Sequence, residues 1–307
     1  MKTTINFLKI SKILTPISLA ISLLALVLVL VFGFSYGIDF AGGNEIQVQF
    51  KEAVKIENLR SQLISAGIEK PTVQKFGTDN EFLIRVEILD DEVQNNKKLQ
   101  SILSTLENKY KKQGVNIRRI DSVGPQIGQE LKTKGILAIV YSLLMILIYL
   151  GLRFDVKYAP SSVICLFHDA IITMSIFSIF QLEVNVQTLA AILAIIGYSL
   201  NDTIVTFDRI RENQNLFGNK KSFFDLCNQS INEVLSRTLL TSITTLLAIS
   251  SMWIFADGVI KDFAFTLGLG VIIGTYSSIY VATPLLIFID KILTHYQQKK
   301  SQISETE

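Results

Sequence analysis

The sequence predicts a polytopic α-helical membrane protein: six transmembrane helices, with one extracytoplasmic ferredoxin-like α+β domain between helices 1 and 2. Three observations predict it. Apolar runs at 13–34, 135–152, 159–182, 184–207, 238–256 and 263–289 are long enough to cross ~30 Å of hydrocarbon. Residues 35–134, between the first two runs, are polar and switch between strand and helix periodicity. The chain is 49% hydrophobic with mean hydropathy +0.41, too apolar for an ordinary soluble domain.

The first element, 1–34, is a basic flank (Lys2, Lys9, Lys12) followed by an apolar span. Its core exceeds the roughly 7–15 residues of a signal-peptide h-region, so an uncleaved span is expected. Next comes the domain at 35–134. Residues 45–50 alternate apolar and polar, 56–66 show helical spacing, and 71–76 and 82–88 alternate again. Residues 91–112 return to helical spacing and 115–120 close the set. That βαββαβ order is the split unit of ferredoxin-like domains. The remaining spans fill 135–289, with a charged loop expected at 208–237 and a polar tail at 290–307. Backbone groups in lipid must be satisfied internally, so every span reads as a helix.

Short flanks set the orientation, because Lys and Arg stay cytoplasmic. The N-terminal flank, Arg153 and Lys157, the collar from Arg209 to Arg237, and Lys291, Lys299 and Lys300 fall on one side. Both termini are therefore expected in the cytoplasm. The domain carries 15 Lys and Arg, but loops beyond ~60 residues escape the rule.

Charge and composition exclude several functions. A net charge of +2 names no nucleic-acid partner. Cys165 and Cys227 are too few for a disulfide framework, and His168 and His295 cannot make a metal cluster. No Walker loop, nucleophile elbow or zinc spacing is present, so no enzyme activity and no cofactor are expected.

The informative residues lie inside the spans. Asp202 sits in the fourth run, where a carboxylate costs about 2.5–3.5 kcal/mol to insert. A chain that keeps one there uses it to move an ion, hold a substrate or pair with a cation. Asp169 lies ~15 Å into the third span, Asp202 ~9 Å from the end of the fourth, and Arg237 opens the fifth. All three belong to the same half of the membrane. They read either as a protonatable site, Asp202 tuned by Arg237 or Asp169, or as a structural polar clasp. His168 reads as structural. Thr238, Thr241, Ser242 and Thr245 share a helix face, and Gly270 and Gly274 mark close helix packing.

Four motifs carry a family resemblance. Gly37, Asp39, Gly42 and Gly43 belong to Gly-Ile-Asp-Phe-Ala-Gly-Gly at 37–43. Gly124, Pro125 and Gly128 belong to Val-Gly-Pro-Gln-Ile-Gly-Gln-Glu-Leu at 123–131. Gly197, Asn201 and Asp202 belong to Gly-Tyr-Ser-Leu-Asn-Asp-Thr at 197–203, followed by Asp208, Arg209, Arg211 and Asn213 in Phe-Asp-Arg-Ile-Arg-Glu-Asn at 207–213. Ser-Arg-Thr-Leu-Leu-Thr-Ser occupies 236–242. The chain resembles the SecD/SecF family, in its smaller SecF-type branch. The resemblance implies a resistance-nodulation-division type membrane fold in the bacterial inner membrane, with SecD supplying six further helices. It implies proton-motive-force-assisted export of unfolded preproteins with the SecYEG channel, and YajC and YidC as further partners. It assigns Asp202 and Arg237 to proton movement and Asp169 less firmly. A self-contained ion-coupled transporter of a small solute is the alternative; it calls for paired helix discontinuities near the midplane, and no convincing inverted pair is visible.

Overall fold

The computed structural model describes residues 5–68, 71–76, 80–88, 92–155, 157–218 and 220–304. Lys2 of the basic flank, residue 91 of the second predicted domain helix and 305–307 of the tail lie outside the described residues. Six helices among the described residues are long and apolar enough to span a membrane.

Helix α1 (Phe7–Phe32) begins six residues before the apolar run, because the Asn6 side chain accepts the Lys9 N–H and starts the helix there. The domain then follows as β2 (Gly43–Gln49), α3 (Ile56–Ser65), β3 (Thr72–Lys75), β4 (Glu81–Val86), α4 (Glu92–Lys109) and β5 (Asn116–Val123). The sheet is antiparallel in the order β3-β4-β2-β5, the arrangement expected of the split βαββαβ unit. Alternation sends Ile46, Val48 and Ile84 to one face, where they meet Leu59 and Leu63 of α3 and Ile102 and Leu106 of α4; all seven are fully buried. The opposite face carries Glu45, Gln47 and Arg85. It looks across a polar cavity of about 440 Å³ toward Glu183 and Asp262 on the membrane helices. Arg85 pairs with both Glu45 and Glu183, and Gln74 donates to Glu183 at 3.0 Å.

Two small elements escaped the periodicity. Ser35–Tyr36 (β1) pairs in parallel with Glu183–Val184 (β6), the turn between the third and fourth spans. A one-turn helix, α2 (Ile38–Ala41), then leads into the Gly pair. Gly42 has φ +75° and Gly43 φ +147°, conformations that L side chains rarely adopt. A Cβ on Gly42 would lie 3.0 Å from the Pro125 Cα, and one on Gly128 would lie 3.0 Å from the Phe40 carbonyl oxygen. The two glycine motifs interlock, so this junction is a close-packed seat.

The remaining spans are α5 (Pro125–Arg153), α6 (Tyr158–Ile179), α7 (Val186–Phe217), α8 (Phe223–Phe255) and α9 (Gly258–Ser277). The last continues through a π turn, Ser278–Ala282, into α10 (Thr283–Ser304). Helix α5 starts ten residues before its apolar run, with Pro125 at the first helical position, where its missing N–H costs nothing. Helices α7 and α8 correct the expected loop at 208–237. That stretch is mostly helical: α7 runs on to Phe217, and α8 starts at Phe223, where Ser222 caps it by accepting the Asp225 N–H. The extensions are polar yet ordered because they bond each other. Arg209 donates to Glu233 at 2.5 Å, and Asn213 donates to Ser230 at 2.9 Å and Glu233 at 2.7 Å.

Helix α9 crosses α7 at its glycines. A Cβ on Gly270 would sit 2.1 Å from Ile195 Cγ1, and one on Gly274 would sit 3.0 Å from Ser199 Cβ. Only small residues permit this approach. It brings α7 and α9 together at the depth of the polar residues.

Gly42→Ala and Gly43→Ala are each expected to destabilise the chain by about 1–3 kcal/mol, through strained φ and lost clearance. Thermal unfolding of the detergent-solubilised full chain reads this. Unchanged midpoints would mean that the junction relaxes freely.

Candidate functional site

The polar residues of the bundle divide into two groups. The first centres on Asp169 of α6, which is 1% exposed. Its Oδ1 lies 2.8 Å from His168 Nδ1, and its Oδ2 accepts from Ser199 of α7 at 2.5 Å and from Ser277 of α9 at 2.8 Å. One carboxylate therefore ties three helices. The sequence placed Asp169 in the span but missed Ser199 and Ser277, which no local pattern distinguishes from the other polar residues of their spans. His168 Nε2 is buried without a hydrogen-bond partner among the described residues, so only half of this imidazole is satisfied.

The second group centres on Asp202, one turn further along α7 and 3% exposed. Its Oδ2 and the hydroxyl of Thr203 are both buried with no partner among the described residues. Arg237 of α8 exerts an electrostatic influence on Asp202, but the two make no direct ion pair among the described residues. Arg237 is itself exposed and lines a groove of about 380 Å³ between α5, α7 and α8, with Arg153, Asp208, Arg209 and Glu212. The structure thus brings Asp202 and Arg237 to neighbouring helices, and it places Asp169 in a closed network that reaches α7 at Ser199, one turn before Asp202. A carboxylate with a free buried oxygen can take or release a proton without breaking a bond already made.

The hydroxyl stripe of α8 faces inward. Ser242 accepts from Tyr198 of α7 at 3.2 Å and hydrogen-bonds the Thr275 hydroxyl of α9 at 2.7 Å. Thr241 instead bonds the carbonyls of Arg237 and Thr238 on its own helix, at 3.1 and 2.9 Å. The stripe is part packing and part cross-helix contact.

The other motif residues have separate places. Gly197, Asn201 and Asp208 fall on one exposed face of α7, together with Ala190 and Ala194. A Cβ on Gly197 would meet nothing within 4 Å. An exposed asparagine within an apolar span is costly in lipid, so this small-residue face calls for a protein neighbour. Arg209 and Asn213 hold the α7–α8 hairpin as described, and Arg211 donates to the Arg153 carbonyl at 3.2 Å. At the domain end, Gly37 N–H donates to the Val184 carbonyl at 2.9 Å. Asp39 accepts the Val186 N–H at 3.0 Å, so a residue of the domain's leading turn caps α7. Gly124 precedes α5 as its cap residue.

Comparison with known proteins agrees across the chain. The profile of "Protein export membrane protein SecD/SecF, C-terminal" matches residues 103–292, and that of the "SecD/SecF GG Motif" matches residues 27–54. Protein translocase subunit SecF of Desulfurispirillum indicum is 41% identical over 307 residues, covering 97% of this chain and 98% of that protein. The subunit of the same name from Pseudomonas aeruginosa is 38% identical over 287 residues, covering 94% and 92%. The crystal structure of SecDF from Thermus thermophilus, titled a translocon-associated membrane protein, superposes with TM-score 0.84 at 34% identity. It covers 94% of this chain. This chain spans only 39% of that longer SecDF chain. A second structure, SecDF in a super-membrane-facing form, gives TM-score 0.71 at 34% identity, covering 98% and 40%.

The two carboxylates are expected to respond differently to truncation. Asp169→Ala strands the buried Ser199 hydroxyl at about 1–3 kcal/mol and leaves Ser277 only the Gly274 carbonyl, whereas Asp202→Ala breaks no side-chain hydrogen bond among the described residues. Unfolding midpoints in detergent should fall clearly for the first variant and little for the second. Equal losses would contradict the division into a tied and a free carboxylate.

Proposed function

This chain belongs to the SecD/SecF family of protein export membrane proteins, and from that premise we propose that it is the SecF-type subunit of a Sec translocase accessory complex, drawing on the proton motive force to assist late export of unfolded preproteins. It acts as a mechanical and ion-coupling subunit, not as an enzyme. Its place is the bacterial inner membrane, with both termini in the cytoplasm and the βαββαβ domain on the periplasmic side. SecD is the neighbour that covers the exposed small-residue face of α7 and completes a twelve-helix bundle. SecYEG is the channel served, with YajC and YidC as further associates.

One observation carries the proton reading: among the described residues Asp202 keeps a buried carboxylate oxygen without a partner, and the Arg237 guanidinium acts on it electrostatically from α8. Protonation there changes the charge of the α7–α8 seam without dismantling the network on Asp169. The energy scale is suitable. One proton crossing ~150 mV yields about 3.5 kcal/mol, while inverting a 1:99 equilibrium needs about 5.5 kcal/mol. A single proton biases a domain movement without fully reversing a steep balance. The domain offers the moving part, since its polar sheet face meets the membrane helices across a cavity and through the Arg85–Glu183 pair.

Asp202→Asn keeps size and hydrogen bonding but cannot titrate. It should leave assembly intact and abolish gradient-stimulated export in proteoliposomes carrying the whole complex. Normal stimulation would rule Asp202 out as the obligatory proton site.

Arg237→Lys should retain more gradient-stimulated export than Arg237→Ala, because lysine keeps the charge and loses only the planar fork. The same assay decides it; identical activity of the two variants would make the charge irrelevant.

A further inference from the structure

The last membrane span is not one continuous α-helix. Between α9 and α10, residues Ser278–Ala282 adopt π geometry. The sequence supplies a cause. Pro284 has no N–H, so the Tyr280 carbonyl, four residues earlier, loses its helical donor. Thr15 of α1 replaces it, donating from Oγ1 to the Tyr280 oxygen at 2.6 Å. A short π segment inside an α-helix is rare and concentrates at functional sites.

The turn sits between two fixed points. Immediately before it, Ser277 donates to Asp169 at 2.8 Å, and the same hydroxyl lies 3.1 Å from the Gly274 carbonyl. One hydroxyl proton cannot serve both acceptors fully. Beyond it, Asp290 of α10 pairs with Lys157 at 2.8 Å, and Lys157 lies 4.4 Å from the centre of the Phe223 ring at the start of α8. Above the turn, α9 is pinned to α7 by Gly270 and Gly274. Movement in this span is therefore directed to the π turn and to α10.

We infer that Thr15 and Pro284 are positioning residues and that the π turn is a joint, coupling the Ser277–Asp169 bond to the register of α10. The inference rests on the proton-driven reading above for its purpose, but not for its geometry. A π turn holds one residue more than an α turn. Expelling that residue rotates α10 by about 100° and advances it about 1.5 Å, which takes Asp290 off Lys157. In the π form Thr15 satisfies the carbonyl that Pro284 leaves open. In the α form Ser277 turns from Asp169 to the Gly274 carbonyl. A state change at the three-helix node thus reaches the far end of the bundle, next to the start of α8.

The test uses the complete complex in proteoliposomes, carrying Thr15→Val, Thr15→Ser, Pro284→Ala or the Thr15→Val/Pro284→Ala pair. The readouts are amide hydrogen exchange across 276–286, gradient-stimulated export and recovery of assembled complex. Thr15→Val should speed exchange about tenfold, the effect of one lost hydrogen bond, and Thr15→Ser should restore it. Pro284→Ala returns the backbone donor, so exchange should slow and gradient-stimulated export should fall while assembly persists. In the Pro284→Ala background, Thr15→Val should have no further effect on exchange. Unchanged exchange and normal export in Pro284→Ala would make the π turn a static irregularity and overturn the joint. Equal damage from Thr15→Val with or without Pro284 would reduce Thr15 to packing and overturn it too. If Pro284→Ala does not assemble, the comparison of Thr15→Val with Thr15→Ser decides: identical exchange in those two variants overturns the joint. If the unmodified complex shows no gradient stimulation, the proton reading fails, and the exchange comparison still decides the joint.

Discussion

Everything in the membrane half depends on one bond set: the carboxylate of Asp169 gathering Ser199 and Ser277 while His168 lies against its other oxygen. Polar groups have no water to fall back on at this depth, so each must find its partner inside the protein. The node fixes how α6, α7 and α9 face one another. The glycines of α9 let the serines come within reach, and the π turn follows directly after the second serine. With that arrangement fixed, Asp202 is carried to a position one turn along α7, where none of the described residues bonds its buried oxygen.

The contrast between the two carboxylates bears on how a protein keeps structure and chemistry apart within a small bundle. A fully bonded acid resists change, because altering it strands its donors. An acid with an open oxygen can change state cheaply. Both kinds stand within about one helical turn of each other, since Ser199, which donates to Asp169, is three residues before Asp202 on α7. The exposed face of α7 that carries Asn201 belongs to the same logic, since the small side chains there leave room for a second bundle to supply what this one lacks.

Much of this was legible in the sequence, for identifiable reasons. The spans follow from apolar length, and the domain follows from alternation, because both patterns report burial against a continuous core. The ends of α7 and α8 were not legible, since their order comes from Arg209, Asn213 and Glu233 reaching between helices rather than from an apolar face. The partners of Asp169 were hidden for a similar reason: Ser199 is 30 residues away and Ser277 is 108. The two-residue β1–β6 pairing carries too little pattern to detect. The glycine pair at 42–43 was recognised as a motif, but the close contact with Pro125 that its backbone geometry imposes comes from a segment more than 80 residues away and was not legible. Pro284 was the one readable sign of the π turn, and its meaning needed Thr15 from the first helix.

Asp39 gives α7 a mechanical character. Helix α7 has 32 residues and is about 48 Å long. At one end its first free N–H is held by a side chain from the turn that leads into the domain, and at the other its side chains are bolted to α8. A helix anchored at both ends is a shaft. Tension or torque applied to the domain enters it along its axis, and Asp202 lies on its length. Any pull on the domain is thereby also a pull on the residue with the open oxygen, and any strain that begins at that residue is delivered to the domain without passing through a flexible linker.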